Sequence, residues 1–370
     1  MRIAILGTRG IPNKYGGLEQ FAECFSVGLR QRGYDVTVYC PHGHDYDEDE
    51  YNGVKIQRIY CPEATLGASG HFIYDFLSLK HALKQNFDIL YEAGYGTSAP
   101  AYYLLNKKSP VVITNMDGIE WKRSKWNFLT RRLMQQMEKI VVKKSRYIIS
   151  DNLGIQKYYG EEFNKSSFYI PYGADIVNDF DCNALKKYNL NPHQYYVFVA
   201  RLEPENNIET FLDGYIKSGS IEPYVVVGNN KTKYGRFLID KYKLFPGIKF
   251  LGGVYDMANN NALRHFSKIY FHGHSVGGTN PSLLEAMAVK AFIIAHDNPF
   301  NRAVLCSNNL FFKTSDDVAN FIKNYSGMKE IVESTIKDNL CQIKNHFNWE
   351  FVISEYEKLF SHLLSNKTEQ

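Results

Sequence analysis

Four loops, each directly behind a short apolar run, hold the residues of this 370-residue chain whose types and spacing could do chemistry. The first is Gly7-Thr8-Arg9-Gly10-Ile11-Pro12-Asn13-Lys14-Tyr15-Gly16-Gly17-Leu18-Glu19. Gly16 and Gly17 stand where a helix begins, and a helix N-terminus offers free backbone N–H groups and positive potential to an anion such as a diphosphate. The spacing is neither G-x-G-x-x-G nor a Walker loop, and a tight turn that needs glycine conformations explains it as well. The second loop runs from His272 through Gly273-His274-Ser275-Val276-Gly277-Gly278-Thr279-Asn280-Pro281-Ser282-Leu283-Leu284-Glu285. Asn280 suits an N-cap and Pro281 the first helical position. Bare glycines let a ligand approach the backbone, and Glu285, one turn into the helix, could accept hydrogen bonds from sugar hydroxyls. The bland alternative for Glu285 is a surface carboxylate complementing the helix dipole. In the third loop Arg201 emerges at a strand end, where its planar fork could clamp a diphosphate. Its alternative is a surface salt bridge to Glu203 or Glu205. In the fourth, Asp117 could act as a base or orient a hydroxyl, or serve as an Asx-turn residue before Gly118.

Metal chemistry is the competing reading. Asp45-Tyr46-Asp47-Glu48-Asp49 contains D-x-D, but within an acidic run, and Glu50 stands where a calcium loop starting at Asp45 needs glycine. A solvated acidic loop is the better reading. His272 and His274 at i, i+2 are poor helical metal spacing, and His274 is the better candidate to line a donor site. No two of the six cysteines form C-x-x-C, so zinc-ribbon and thioredoxin-like readings fail and reduced thiols are expected.

These loops need a scaffold that ends strands at a common edge. Short apolar runs (Ile3–Leu6, Asp35–Tyr39, Val54–Ile59, Ile89–Tyr91, Val111–Ile113, Tyr147–Ser150) alternate with helical patterns. The pattern restarts at Tyr195–Ala200 and continues through Tyr224–Val227, Lys249–Leu251, Ile269–Phe271 and Phe292–Ala295. Continuous apolar strands separated by helices indicate parallel sheets covered on both faces. The expectation is α/β: two doubly wound, Rossmann-like parallel-sheet domains facing a cleft, with ligands outside the carboxyl ends of the strands. The expected boundaries are 1–171, 172–347, and a C-terminal helix over 348–370 packing back on the N-terminal domain. A formal net charge of +4 argues against a dedicated nucleic-acid binder. A 44% hydrophobic and 22% charged composition excludes global disorder. The apolar run after Met1 is too short for a signal peptide, and no stretch is long enough to span a bilayer.

The order and spacing of Gly7-Thr8-Arg9-Gly10-Ile11-Pro12, Tyr15-Gly16-Gly17-Leu18-Glu19, Asp117-Gly118-Ile119-Glu120-Trp121-Lys122-Arg123 and Gly273 to Met287 resemble the family-four retaining glycosyltransferases of GT-B fold. Within that family the pattern is most similar to bacterial polysaccharide rhamnosyltransferases. The resemblance implies a nucleotide-sugar donor in the C-terminal domain and an acceptor on the N-terminal one. Gly16 and Gly17 would touch the donor diphosphate, Arg201 would neutralise it, and Glu285 would hold the ribose. Three positions depart from the family pattern. Gly277 stands where the wider family has a glutamate eight residues before Glu285, so a donor-sugar contact is either missing or moved to Thr279 and Asn280. Asn206 replaces the usual lysine, with Lys231 or Lys233 supplying that charge. Asp117 stands where relatives have a histidine, which makes Asp117 and Arg201 the catalytic candidates.

Such a transfer is a front-face substitution in which the departing diphosphate oxygen takes the acceptor's proton. It needs preorganised positive potential at the leaving group more than a strong base, so no metal or other cofactor is expected. A helix over Trp126–Lys144 carries Leu129, Leu133, Met137, Ile140 and Val141 as an inward apolar stripe. Lys122, Arg123, Arg131 and Arg132 crowd the same region and would face an anionic membrane and a polyprenyl-diphosphate-linked saccharide acceptor. The expected setting is cytoplasmic, peripheral at the inner face of the cell membrane, in cell-surface polysaccharide synthesis. The alternatives are a nucleotide-sugar 2-epimerase of the same fold and a non-catalytic two-lobed sugar-binding protein.

Overall fold

Apolar runs without polar alternation become strands buried on both faces. In the first half of the chain they are β1 (Arg2–Leu6), β2 (Asp35–Pro41), β3 (Glu50–Tyr51), β4 (Val54–Ile59), β5 (Ile89–Glu92), β6 (Val111–Asn115), β7 (Tyr147–Ser150) and β8 (Phe168–Tyr169). One sheet collects them in the order β3-β4-β2-β1-β5-β6-β7-β8. All neighbours run parallel except β3 and β4. The second half gives β9 (Tyr196–Val199), β10 (Tyr224–Val227), β11 (Ile248–Gly252), β12 (Ile269–His272), β13 (Ile293–His296) and β14 (Leu310–Phe312). Their sheet is wholly parallel, in the order β11-β10-β9-β12-β13-β14. The computed structural model describes residues 1–14, 16–106, 108–123 and 126–368, with backbone alone for 367 and 368. Tyr15 of the first loop lies outside the described residues.

The chain divides into two compact units. The first comprises Met1–Lys122, Trp126–Gly173 and Trp349–Gln370; the second comprises Arg123–Lys125 and Ala174–Asn348. In each sheet the strand order reverses at one point, between β1 and β5 in the first unit and between β9 and β12 in the second. A crevice opens outside the carboxyl ends of the strands at such a reversal. The loops that follow β1, β9 and β12 therefore flank these two positions.

Aromatic residues build both interiors. In the second unit Phe211 packs on Phe271 and Phe312 at ring separations of 5.5 and 4.9 Å, and Tyr224 stacks on Phe271 at 5.7 Å. Each such fully buried side chain contributes about 1.5–3 kcal/mol over its exposed state. In the first unit the C-terminal helix Trp349–Thr368 lies on the Gly17–Gln31 helix. Gly28 permits the approach, since a Cβ there would fall 2.1 Å from Ile353 Cδ1. Phe25 and Tyr356 meet at 4.4 Å, and Arg32 pairs with both Glu350 and Glu357.

Two local expectations change. The acidic run is largely exposed but ends in β3, and Arg58 ties it to the sheet through Asp49 and the carbonyls of Tyr46 and Glu48. The helix Phe128–Lys144 does not bury its whole apolar stripe. Val141 and Val142 are buried, with Glu138 held among Trp121, Tyr158 and Tyr159, whereas Leu129 is 76% and Leu133 44% exposed. Only the second half of the helix buries side chains.

Candidate active site

The second unit gathers the sequence-derived donor residues along one sheet edge. Arg201 follows β9, Lys231 follows β10, and His274, Thr279 and Asn280 follow β12; these three strands are neighbours. The loops after β9 and β12 are joined by many polar contacts. Ser275 donates to the Glu205 carbonyl through both its amide and its hydroxyl, and Asn207 donates to the Gly273 carbonyl at 2.8 Å. Gly273 is required there, because a Cβ would stand 1.9 Å from the Asn206 carbonyl oxygen.

Asn280 caps the Pro281–Ala288 helix, accepting from the Ser282 amide at 2.9 Å. No acidic side chain occupies the first turn. The Ser282 hydroxyl donates to the Val199 carbonyl at 2.9 Å, which seats the start of this helix on the strand end that leads into Arg201. Arg201 itself is exposed and, among the described residues, makes no ion pair, neither with Glu203 nor with Glu205. Lys231 is likewise exposed, on a turn in which its amide donates to Asn229 Oδ1. Thr279 is buried.

Glu285 is not a surface carboxylate. It accepts from Arg264 Nη2 at 2.5 Å, and Arg264 is only 2% exposed. The same Nη2 donates to Ser282 Oγ at 3.1 Å, while among the described residues Nε and Nη1 have no hydrogen-bond partner. Sequence reasoning missed Arg264. It sits in the last turn of the Met257–His265 helix, where a cation ordinarily serves the helix dipole from solvent.

Two histidines line the strand end beneath the loop. Burial pushes His272 down to about 3, and burial followed by nearby positive charge, Arg201 included, holds His274 well below the ordinary histidine range. The His274 ring nitrogen Nδ1 lies 3.0 Å from Asn206 Oδ1, and its carbonyl accepts from the side-chain amides of Asn298 and Asn301.

The remaining predicted residues belong to the first unit. Gly16 is the N-cap of the Gly17–Gln31 helix in extended backbone, and Gly17 opens the helix. Glu19 turns back over this end and accepts from the Arg9 amide at 3.1 Å, and a Cβ on Gly16 would lie 3.5 Å from its other oxygen. A carboxylate thus already serves this helix terminus. Asp117 follows β6 at the carboxyl edge, on a turn braced by Tyr95 Oη donating to the Gly118 carbonyl at 2.9 Å. Lys122 packs over the rings of Trp121 and Tyr158, and Arg132 lies 5.0 Å over exposed Phe128. Arg131 is half-buried, its Nε without a hydrogen-bond partner among the described residues, and Arg123 is also half-buried. Among the described residues three potential metal ligands converge within 4.8 Å: Cys61, Glu63 and His71. There Glu63 meets Arg9 at 3.3 Å and His71 at 3.2 Å.

The comparisons with known proteins follow this division. Residues 183–344 match the group 1 glycosyl transferases, and residues 1–175 match a domain of unknown function, DUF1972. The second unit is a group 1 glycosyltransferase domain. An uncharacterized glycosyltransferase of Methanocaldococcus jannaschii is 24% identical over 95% of this chain and 96% of its own length. Among solved structures, sucrose-phosphate synthase of Thermosynechococcus elongatus superposes with a TM-score of 0.82 at 15% identity, covering 99% of both chains. HepE of Anabaena, in complex with UDP-glucose, superposes with a TM-score of 0.76 at 14% identity, covering 98% of this chain and 100% of its own. The architecture is thus GT-B, and residues 183–344 form its group 1 glycosyltransferase domain. In the group 1 domain, exposed cations, a carboxylate-free capped helix end and glycine-lined backbone suit a diphosphate attached to hydroxyl-bearing groups.

Proposed function

We propose that this glycosyltransferase moves a sugar, L-rhamnose from dTDP-rhamnose first among candidates, to a lipid-linked saccharide with retention of anomeric configuration. The observation that carries the reading is the Ser282–Val199 hydrogen bond, which sets the capped helix end beside the strand that delivers Arg201. Helix potential and guanidinium then act on one group, the departing diphosphate, where negative charge grows in the transition state. Arg201 and Lys231 carry the positive side-chain charge in this reading, and the reaction proceeds without a divalent cation. Thr279 and Asn280 serve the donor, and Glu285, aligned by Arg264, takes the ribose. Gly16, Gly17 and Asp117 belong to the acceptor-bearing half, with Asp117 orienting the attacking hydroxyl.

A membrane-bound acceptor is supported by Phe128, Leu129 and Leu133, exposed on a helix that also bears Arg131 and Arg132. No helix among the described residues is long and apolar enough to cross a bilayer. Contact would therefore be interfacial, with apolar side chains in the headgroup boundary and cations at anionic lipid.

The test is incubation of the full chain with dTDP-rhamnose and UDP-glucose, with and without chelator, followed by proton NMR of the anomeric signal. Release or transfer of sugar, first formed with the donor's anomeric configuration and undiminished by chelator, supports the reading. Isomerisation of the donor, or reversible binding of free sugar without turnover, refutes it.

A further inference from the structure

The two loops at the edge of the group 1 domain fix one atom more tightly than diphosphate binding requires. Asn206 donates from Nδ2 to the Arg201 carbonyl at 2.7 Å, so its Oδ1 is the atom that faces His274. An amide oxygen only accepts, hence His274 Nδ1 carries the proton. Partial burial and the nearby charges of Arg123 and Arg201 keep this imidazole neutral, so Nε2 is left as a bare acceptor. Its main chain is pinned as well, by the amides of Asn298 and Asn301 on the His274 carbonyl, both at 3.0 Å.

Nε2 is also uncovered. Among the described residues it has no hydrogen-bond partner, and the ring is partly exposed. The chain passes it at Gly277, where a Cβ would stand 3.1 Å from Nε2 and where φ is +128°, a conformation that side-chain-bearing residues rarely adopt. The glycine keeps open the space in front of the lone pair.

A lone pair cannot receive a phosphate oxygen, because a diphosphate diester carries no proton at neutral pH. It needs an O–H or N–H. We propose that His274 Nε2 is the hydrogen-bond acceptor for a hydroxyl of the transferred sugar, with Asn206 setting its tautomer and Gly277 leaving it open. This inference rests on the nucleotide-sugar reading above and adds to it a specificity-determining residue. It makes the domain select a donor that presents a hydroxyl beside the diphosphate, and it gives Asn206 a role through His274 rather than in direct contact.

The experiment measures dissociation constants by calorimetry for dTDP, UDP, dTDP-rhamnose and UDP-glucose, and for monodeoxy analogues of the sugar that binds. The full-length wild type is compared with His274→Phe and Gly277→Ala. The expected result is a loss of about tenfold for the nucleotide sugar, the worth of one hydrogen bond, with the nucleotide diphosphate unchanged within about twofold. One deoxy analogue should lose about tenfold on wild type and nothing further on His274→Phe. Equal losses for diphosphate and sugar, or deoxy effects that simply add to the mutation in both variants, overturn the proposal. If His274→Phe does not fold, Gly277→Ala with the same analogues decides in the same way. Wild type that turns over nucleotide sugar but shows no such coupling refutes His274 alone. Wild type that binds neither nucleotide nor nucleotide sugar refutes the donor reading and this inference with it.

Discussion

Replacing Asp75 by asparagine should stabilise the first unit at alkaline pH and do so progressively less as pH falls. Asp75, on the Gly70–Ala82 helix, and Glu92, the last residue of β5, are both fully buried carboxyls. Burial raises Asp75 from 3.8 to about 7, and burial together with the Asp75 charge raises Glu92 well above the carboxylate range. The Thr97 hydroxyl donates to Asp75, while Glu92 Oε1 has no hydrogen-bond partner among the described residues and lies so close to Gly7 that a Cβ there would stand 2.2 Å from it. Between pH 4 and 7 the folded state holds a proton on Asp75 that the unfolded chain has released. The Asp75 contribution to stability therefore falls as pH rises through that window and levels off above it. The ionisation cost is on the order of 4 kcal/mol at pH 8 and under about 2 kcal/mol at pH 5. Asparagine keeps an acceptor for Thr97 and removes that cost. The lost or altered contacts are independent of pH, so the diagnostic is the difference, roughly 2–3 kcal/mol more stabilisation at pH 8 than at pH 5. All three tryptophans, Trp121, Trp126 and Trp349, belong to the first unit, so urea unfolding followed by tryptophan fluorescence reads the right transition. Equal stability differences at the two pH values, or a variant weakened more at pH 8, would refute the reasoning.

Arg201→Ala should weaken dTDP and UDP binding at least tenfold and leave the melting temperature unchanged, because the side chain is exposed and makes no ion pair among the described residues; calorimetry and a thermal melt check both halves. Glu285→Ala should cost about 3–5 kcal/mol, since it strands a guanidinium that is 2% exposed, and Glu285→Gln should cost less in the same urea titration. Asn280→Ala should cost about 1 kcal/mol through loss of the helix cap and also lower donor affinity, measured by denaturation and calorimetry. Leu129→Ser with Leu133→Ser should abolish co-sedimentation with anionic vesicles without loss of stability, because both side chains already face solvent; retained binding would remove the membrane reading.

Most of the scaffold was legible because its strands are unbroken apolar runs, and such runs in alternation with helices have one architectural solution. Two of the short strands were not. Glu50–Tyr51 sits in an acidic stretch and Leu310–Phe312 spans three residues, too few to show a period; both form only because a neighbouring strand offers its edge. The site loops were legible through glycine, the Asn280–Pro281 cap and the strand-end position of Arg201, all local signals. What stayed hidden was every feature that depends on a partner distant in sequence. Arg264 acquires its meaning from Glu285, 21 residues later, and Glu92, which ends β5, is buried against Gly7, 85 residues earlier in the chain. The apolar positions of Phe128–Lys144 gave the right period and the wrong burial, because periodicity says which side chains share a face but not whether anything covers it.

The Arg264–Glu285 pair explains why a mutational test of this site must separate stability from binding. Glu285 lies on the Pro281–Ala288 helix, whose first turn is seated on β9 by Ser282, and Ser282 also accepts from Arg264. One buried cation thus fixes both the carboxylate and the hydroxyl that set the helix against the Arg201 strand end. Removing either partner leaves charge without compensation in the interior, so a truncation lowers donor affinity even if Glu285 never touches the donor. The conservative series resolves the two roles. Glu285→Gln retains an acceptor for Arg264 and the placement of the helix, and it loses only the charge that would hold a pair of ribose hydroxyls. A donor contact therefore predicts that Glu285→Gln still lowers the affinity for UDP, whereas a purely supporting role predicts wild-type affinity with a modest fall in stability. Because dTDP lacks the ribose 2′-hydroxyl, the same substitution should cost UDP more than dTDP if the carboxylate bridges both hydroxyls.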